Sequence, residues 1–150
     1  MTIENLIYQE LSRCRGYVAG IIDGEGSIGI YKRVDRPAAC MLQIHMTDRE
    51  PLDICKMILG GGSITKYKRD ECRKDIWHYT ISGKRQLKKA LELIAPYLII
   101  KKPQADLVLM YIDDPSPDHD AYKKASFILS GRKIPPEVKT HFLKVLEGGK

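Results

Sequence analysis

The stretch GYVAGIIDGEGSIGIYKR, Gly16 to Arg33, decides how the chain is read. It spaces Gly16, Gly20 and Gly24 four residues apart, sets Asp23 and Glu25 on either side of Gly24, and then alternates apolar and polar positions through SIGIYKR. Tyr17, Val18, Ile21 and Ile22 recur at helical spacing, which predicts a helix over about residues 13–24, with Ser12 as N-cap and Asp23-Gly24 as its stop. The alternation from Ser27 to Val34 predicts a strand. Residues four apart share one side of a helix, so the glycines form a small-residue face with Ala19 beside them. Each helical glycine costs about 1 kcal/mol relative to alanine. Close backbone approach offsets that cost, either against the chain's own core or against the same helix of a second copy. The acids pose a second question, because a helix C-terminus already carries roughly half a negative charge. A divalent cation relieves the clash, and Mg²⁺ takes one or two carboxylates together with phosphate oxygens and water. A plain turn at Asp23-Gly24 with a solvated Glu25 is the other reading of the same residues.

The rest of the chain narrows the class. At 150 residues it has the length of one domain, 1–150, able to bury a core without disulfides. Its 43% apolar and 29% charged residues are a globular profile, and no apolar run approaches the roughly 20 residues of a membrane span. The start MTIENLIYQELSRCR carries acids and lacks a long apolar segment or an Arg/Ser-rich extension. The expected location is intracellular, in a bacterial, phage or organellar host compartment, and not secreted, with the missing extension arguing against import into an organelle. Cys14, Cys40, Cys55 and Cys72 form no CxxC pair and receive no chemistry. The net charge of +6 is unevenly spread: eleven Lys/Arg against four acids lie between Gly61 and Lys102, while Asp106 to Asp120 holds five acids and no Lys or Arg. Such division suits one face for a polyanion.

Arg36-Pro37 reads as a turn into a strand from Ala39 to Met46, and Asp48 as the cap of a helix carrying Leu52, Cys55, Ile58 and Leu59, stopped by Gly60-Gly61-Gly62. Strands from Ser63 to Arg69 and from Asp75 to Ser82 follow, then a helix with Leu87, Leu91, Leu93 and Ile94. Pro96 and Pro103 interrupt the chain before a helix from Ala105 to Ile112 and a loop, DDPSPDHD, from Asp113 to Asp120. Two further helices, Tyr122 to Leu129 and Glu137 to Leu146, are expected within about 121–147. The order is αββαββα with extra C-terminal helices, an α+β fold in which helices cover one face of an antiparallel sheet. Parity puts Ser27, Gly29, Tyr31, Arg33, Gln43, His45, Thr65, Tyr67, Arg69, His78 and Thr80 on the other face. A two-stranded ribbon has the width of the DNA major groove.

Val18-Ala19-Gly20-Ile21-Ile22-Asp23-Gly24-Glu25-Gly26 resembles the LAGLIDADG motif of homing endonucleases. MTDRE before the second helix, LGGGSI opening the third strand, YTISGK closing the fourth and APYLIIKKPQADLVL around Lys101 resemble the family's corresponding segments over nearly the whole chain. The resemblance implies a saddle-shaped sheet whose concave face lies in the major groove of double-stranded DNA. One motif per chain implies a homodimer joined by the motif helices through Gly16, Ala19 and Gly20, and a roughly palindromic target. It implies Mg²⁺ held by Glu25 and the Gly24 carbonyl, with Asp23 keeping the motif's geometry beside the catalytic group and Lys101 as active-site cation. The chain departs from the pattern at Met46, where many relatives carry glutamine; Gln43 or His45, or water alone, is left to serve there. Expected base readers are Tyr31, Arg33, Gln43, Thr65, Tyr67, Arg69, His78 and Thr80, with Ser27 and His45 on the same DNA-binding face. Lys66, Lys68, Arg73 and Lys102 are the expected phosphate contacts, and Arg132-Lys133 are expected near the active sites. His119 and His141 are read as loop and surface residues. The implied activity is Mg²⁺-dependent, site-specific cleavage that initiates homing of an intron or other mobile element. The alternatives are a non-cleaving RNA-splicing maturase or DNA-binding regulator on the same fold, with RNA a partner only there, and a generic α+β interaction domain.

Overall fold

A computed structural model describes residues 1–130. Helix α1 runs Ile3–Glu25, far longer than residues 13–24. Its N-cap is Thr2, whose hydroxyl accepts from the Asn5 N–H at 3.2 Å. Ser12 is no cap; its hydroxyl lies inside the helix and accepts from the Tyr97 hydroxyl at 3.4 Å. The added turns carry exposed Ile3, Leu6 and Ile7, so their helical spacing is present without a buried face to mark it. The helix ends where Gly26 donates its N–H to the Ile22 carbonyl. A β-carbon at Gly26 would lie 2.8 Å from that carbonyl oxygen, so the switch from helix to strand needs glycine there.

Strands β1 (Gly26–Arg33) and β2 (Arg36–Met46) form an antiparallel hairpin. Its turn is Val34-Asp35 rather than Arg36-Pro37, because Asp35 takes the left-handed conformation, φ 56°, which aspartate tolerates. Helix α2 (Glu50–Leu59) starts at Arg49 with no side-chain cap, so Asp48 does not cap it, and Gly60 closes it in the left-handed region at φ 77°. Strands β3 (Ser63–Tyr67) and β4 (Ile76–Ser82) make the second hairpin, and β2 pairs with β4 to give the order β1-β2-β4-β3. Helix α3 spans Lys84–Ile94 and continues into a 3₁₀ turn, Ala95–Tyr97, which takes up Pro96. Pro103 does not interrupt helix α4 (Lys102–Asp113) but sits in its first turn, where its missing N–H is not required. Asp118 accepts from the Ala121 N–H and caps helix α5 (His119–Leu129), so the acidic loop is shorter than expected and His119 is helical. The expected helix from Glu137 to Leu146, together with Arg132, Lys133 and His141, lies outside the described residues.

The helices cover one sheet face. Ile28, Ile30, Cys40, Leu42, Ile44, Tyr79 and Ile81 pack from the sheet against Val18 and Ile22 of α1, Leu52 and Cys55 of α2, and Leu87, Leu91 and Ile94 of α3. Burial pushes the Cys55 thiol up to about 11, so it stays protonated inside this layer. Strand β1 is a sheet edge, and α5 closes it: the Ile30 N–H donates to the Ser126 hydroxyl at 2.9 Å, removing an unpaired edge donor.

Candidate active site and nucleic-acid interface

The C-terminal end of α1 and the segment before α4 are tied together by Asp23. Its two carboxylate oxygens accept from the backbone N–H groups of Ile99 and Lys101, both at 2.9 Å. This places Asp23 at the joint between the two segments, where it holds the end of the motif helix. The Lys101 ammonium then reaches the same helix end, donating to the carbonyls of Ile22 at 3.0 Å and Asp23 at 2.7 Å. Cations are favoured at a helix C-terminus, where carbonyls lack helical partners. Burial lowers the Lys101 pKa from the ordinary lysine value, while the nearby Asp23 and Glu25 charges act in the opposite direction.

Glu25, one residue before β1, is exposed and has no hydrogen-bond or ion-pair partner among the described residues. It opens on a cleft of roughly 350 Å³ lined also by His45, Met46, Thr47, Arg69 and Ile76. No group of three His, Cys, Asp or Glu able to hold a metal occurs among the described residues. The donor set is thus one carboxylate with nearby backbone oxygen. This fits Mg²⁺, which completes its shell with water and phosphate, and does not fit a cation that needs an all-protein cage.

Gly16, Gly20 and Gly24 lie exposed along one side of α1, and a β-carbon at any of them would meet nothing within 4 Å among the described residues. The chain's own core therefore does not account for these glycines. Ala19, expected beside them at an interface, is instead only 1% exposed and packs in the core. At 100° per residue it falls with Val18 and Ile22 on the inner side of the helix.

The open sheet face carries the side chains that parity assigned to it. One row across the strands runs Ser27, Gln43, Thr80 and Ser63, and the next runs His45, His78 and Thr65. His45 and His78 stack with ring centroids 4.0 Å apart, and Tyr67 stacks on His78 at 5.8 Å. Burial, followed by the neighbouring His78, lowers the His45 pKa. Tyr31 and Arg33 are exposed towards the β1 end, whereas Gly29 on the same parity is covered by Ser126 and Tyr31. Three basic residues are set as follows, and of these only Arg69 departs from its expected place on a strand. Lys66 falls on the opposite parity, pairs with Asp75 at 2.9 Å and sits 5.4 Å over Trp77. Lys102 pairs along α4 with Asp106 at 2.9 Å. Arg69 lies beyond the end of β3 and joins the Glu25 cleft. Lys68 and Arg73 remain exposed in the segment between β3 and β4. Thr47 and Ile76 complete the cleft without having been singled out in the sequence, because only the β2–β4 register brings the two strand ends together.

Residues 12–95 match the profile of the LAGLIDADG-like domain family, and the chain belongs to that family. Its fold is that of solved LAGLIDADG homing endonucleases. The homing endonuclease I-CvuI, in complex with the I-CreI target in the presence of 2 mM Mg with DNA not cleaved, superposes with TM-score 0.64 at 23% identity, covering 90% of this chain and 96% of that one. The group I intron-encoded homing endonuclease I-CeuI, complexed with DNA, gives TM-score 0.56 at 15% identity over 68% of this chain and 55% of that one. The archaeal intron-encoded I-Vdi141I, also complexed with DNA, gives 0.53 at 18% identity over 77% and 95%. No curated protein matches the chain in sequence.

Proposed function

We propose that the chain is a Mg²⁺-dependent, site-specific DNA endonuclease that works as a homodimer, a single intracellular domain initiating homing of an intron or other mobile element. The observation that supports this most is the end of α1: an unpaired Glu25 on a helix whose glycine face finds nothing to pack against among the described residues. A second copy laid against that face brings two Glu25 side chains to one place, and the twofold axis makes the target roughly palindromic. Glu25 and the Gly24 carbonyl are the residues that would hold the metal, which supplies charge stabilisation for in-line phosphodiester hydrolysis. Lys101 and Asp23 hold the helix end in shape for that purpose. The open face, with Gln43, Thr65, Tyr67, His78 and Thr80, reads base edges in the major groove, with Arg33, Ser27 and Tyr31 at its edge. Lys68, Arg73 and Lys102 contact phosphates.

The test is selection from randomised duplex DNA with Mg²⁺, with cut ends and bound molecules sequenced separately for the parent and Glu25→Gln. Cutting at one partly palindromic sequence, lost in Glu25→Gln, is expected. Enrichment of bound DNA without cutting, unchanged by the substitution, would replace this reading with a non-cleaving binder. Met46 is the observation that favours such a binder, since a thioether offers little to an attacking water.

A further inference from the structure

Hydrolysis of a phosphodiester needs, besides a metal-holding acid, a group that orients the water and a positive charge for the phosphoryl oxygens. We propose that His45 orients the attacking water and that Arg69 holds the scissile phosphate, so that these two complete the cleavage centre of this chain; the inference rests on the endonuclease reading. The cleft that contains Glu25 offers few other candidates. Met46 and Ile76 have no hydrogen-bonding side chain of use, and Thr47 is short. Gln43 lies two residues further along β2, opposite Ser27 and Thr80, outside the cleft lining. The Lys101 ammonium is engaged by the carbonyls of Ile22 and Asp23, which leaves Arg69 as the cation that lines the cleft.

The two residues also have suitable settings. One face of the His45 ring is held by His78, 4.0 Å away and inclined by 24°, and His78 is backed by Tyr67. The ring is thereby fixed, while no described residue hydrogen-bonds its nitrogens, so an edge is open to water. A catalytic group works best when packing sets its orientation in advance. Arg69 forms no side-chain ion pair with any described residue, and its planar guanidinium presents paired N–H donors to two phosphate oxygens. In the step itself the water oxygen forms a bond to phosphorus as one P–O ester bond breaks. The water releases one proton to solvent through its contact with His45, and the departing alkoxide takes one from solvent.

The probe is the duplex recovered by selection, used with the full chain. His45→Ala is expected to slow single-turnover cleavage at saturating protein by about 10²-fold, with affinity for uncleaved target near the parent's. His45→Gln, which can still hold a water, is expected to keep most of the rate. Arg69→Ala is expected to slow cleavage by roughly 10²- to 10³-fold. In binding alone, the parent should prefer the natural duplex to one with a neutral methylphosphonate at the scissile position, and Arg69→Ala should lose that preference. His45→Ala cleaving at the parent rate, or losing affinity and rate in parallel as a base reader would, overturns the assignment of His45. Retained discrimination in Arg69→Ala overturns that of Arg69. Either result leaves the endonuclease reading standing if Glu25→Gln is inactive, whereas a parent that cuts no sequence removes both.

Discussion

The two faces of one sheet differ more than any two elements of the chain. On β2, Cys40, Leu42 and Ile44 point into the helical layer and are at most 3% exposed, while Gln43 and His45, their immediate neighbours, face outward with none of the described helices over them. A strand alternates sides at every residue, so a single eleven-residue segment holds the fold together and presents its chemistry. The lesson is a separation of tasks: substitutions on one parity should change stability, and substitutions on the other should change recognition.

The sharpest way to break that separation is to exchange neighbours. Leu42→Ala should lose about 2–5 kcal/mol in urea unfolding, because it empties a fully buried site. Gln43→Ala should stay within about 0.5 kcal/mol of the parent while altering the base preference recovered in a selection. Next comes α1, whose inner side is packed and whose glycine side is open. Gly20→Leu should leave the isolated chain no less stable, since it removes a helical glycine penalty of about 1 kcal/mol. It should abolish the dimer in sedimentation, and cleavage with it. At the β1 edge, Ser126→Ala should cost about 1–3 kcal/mol by thermal unfolding, as it leaves the buried Ile30 N–H without its acceptor. The smallest effect should come from the basic segment beyond β3: Lys68→Ala should lower the slope of log affinity against log salt by about 1, weakening all DNA sequences alike.

Parity along each strand was legible in the sequence because a period of two depends only on local alternation, and the open face assembled as parity predicted except for Gly29, which Ser126 and Tyr31 cover, and Arg69, which lies beyond the end of β3. Helix positions were legible wherever one side is buried, as with Leu87, Leu91 and Ile94 of α3. The start of α1 was missed because Ile3, Leu6 and Ile7 mark no buried side, and because Ser12 imitates a cap. Ala19 was misplaced by its position beside Gly20 in sequence, although a helix turns neighbouring residues by 100°. The site was legible in parts. Glu25 stood out by its motif, but the cleft around it depends on where Arg69 leaves β3 and on the register between β2 and β4, which are tertiary facts. Lys66 shows the same limit, since a charge count gives no account of the Asp75 and Trp77 that hold it.

The central claim is that a homodimer brings together a pair of active sites, one for each DNA strand and each built on the Glu25 of one copy. Mixed dimers of the parent and Glu25→Gln, purified with two affinity tags and given a supercoiled plasmid carrying the selected target with Mg²⁺, test it directly. The account predicts that parent dimers linearise the plasmid, Glu25→Gln dimers leave it intact, and mixed dimers stop at the nicked circle. Linear product from mixed dimers at the parent rate would contradict it.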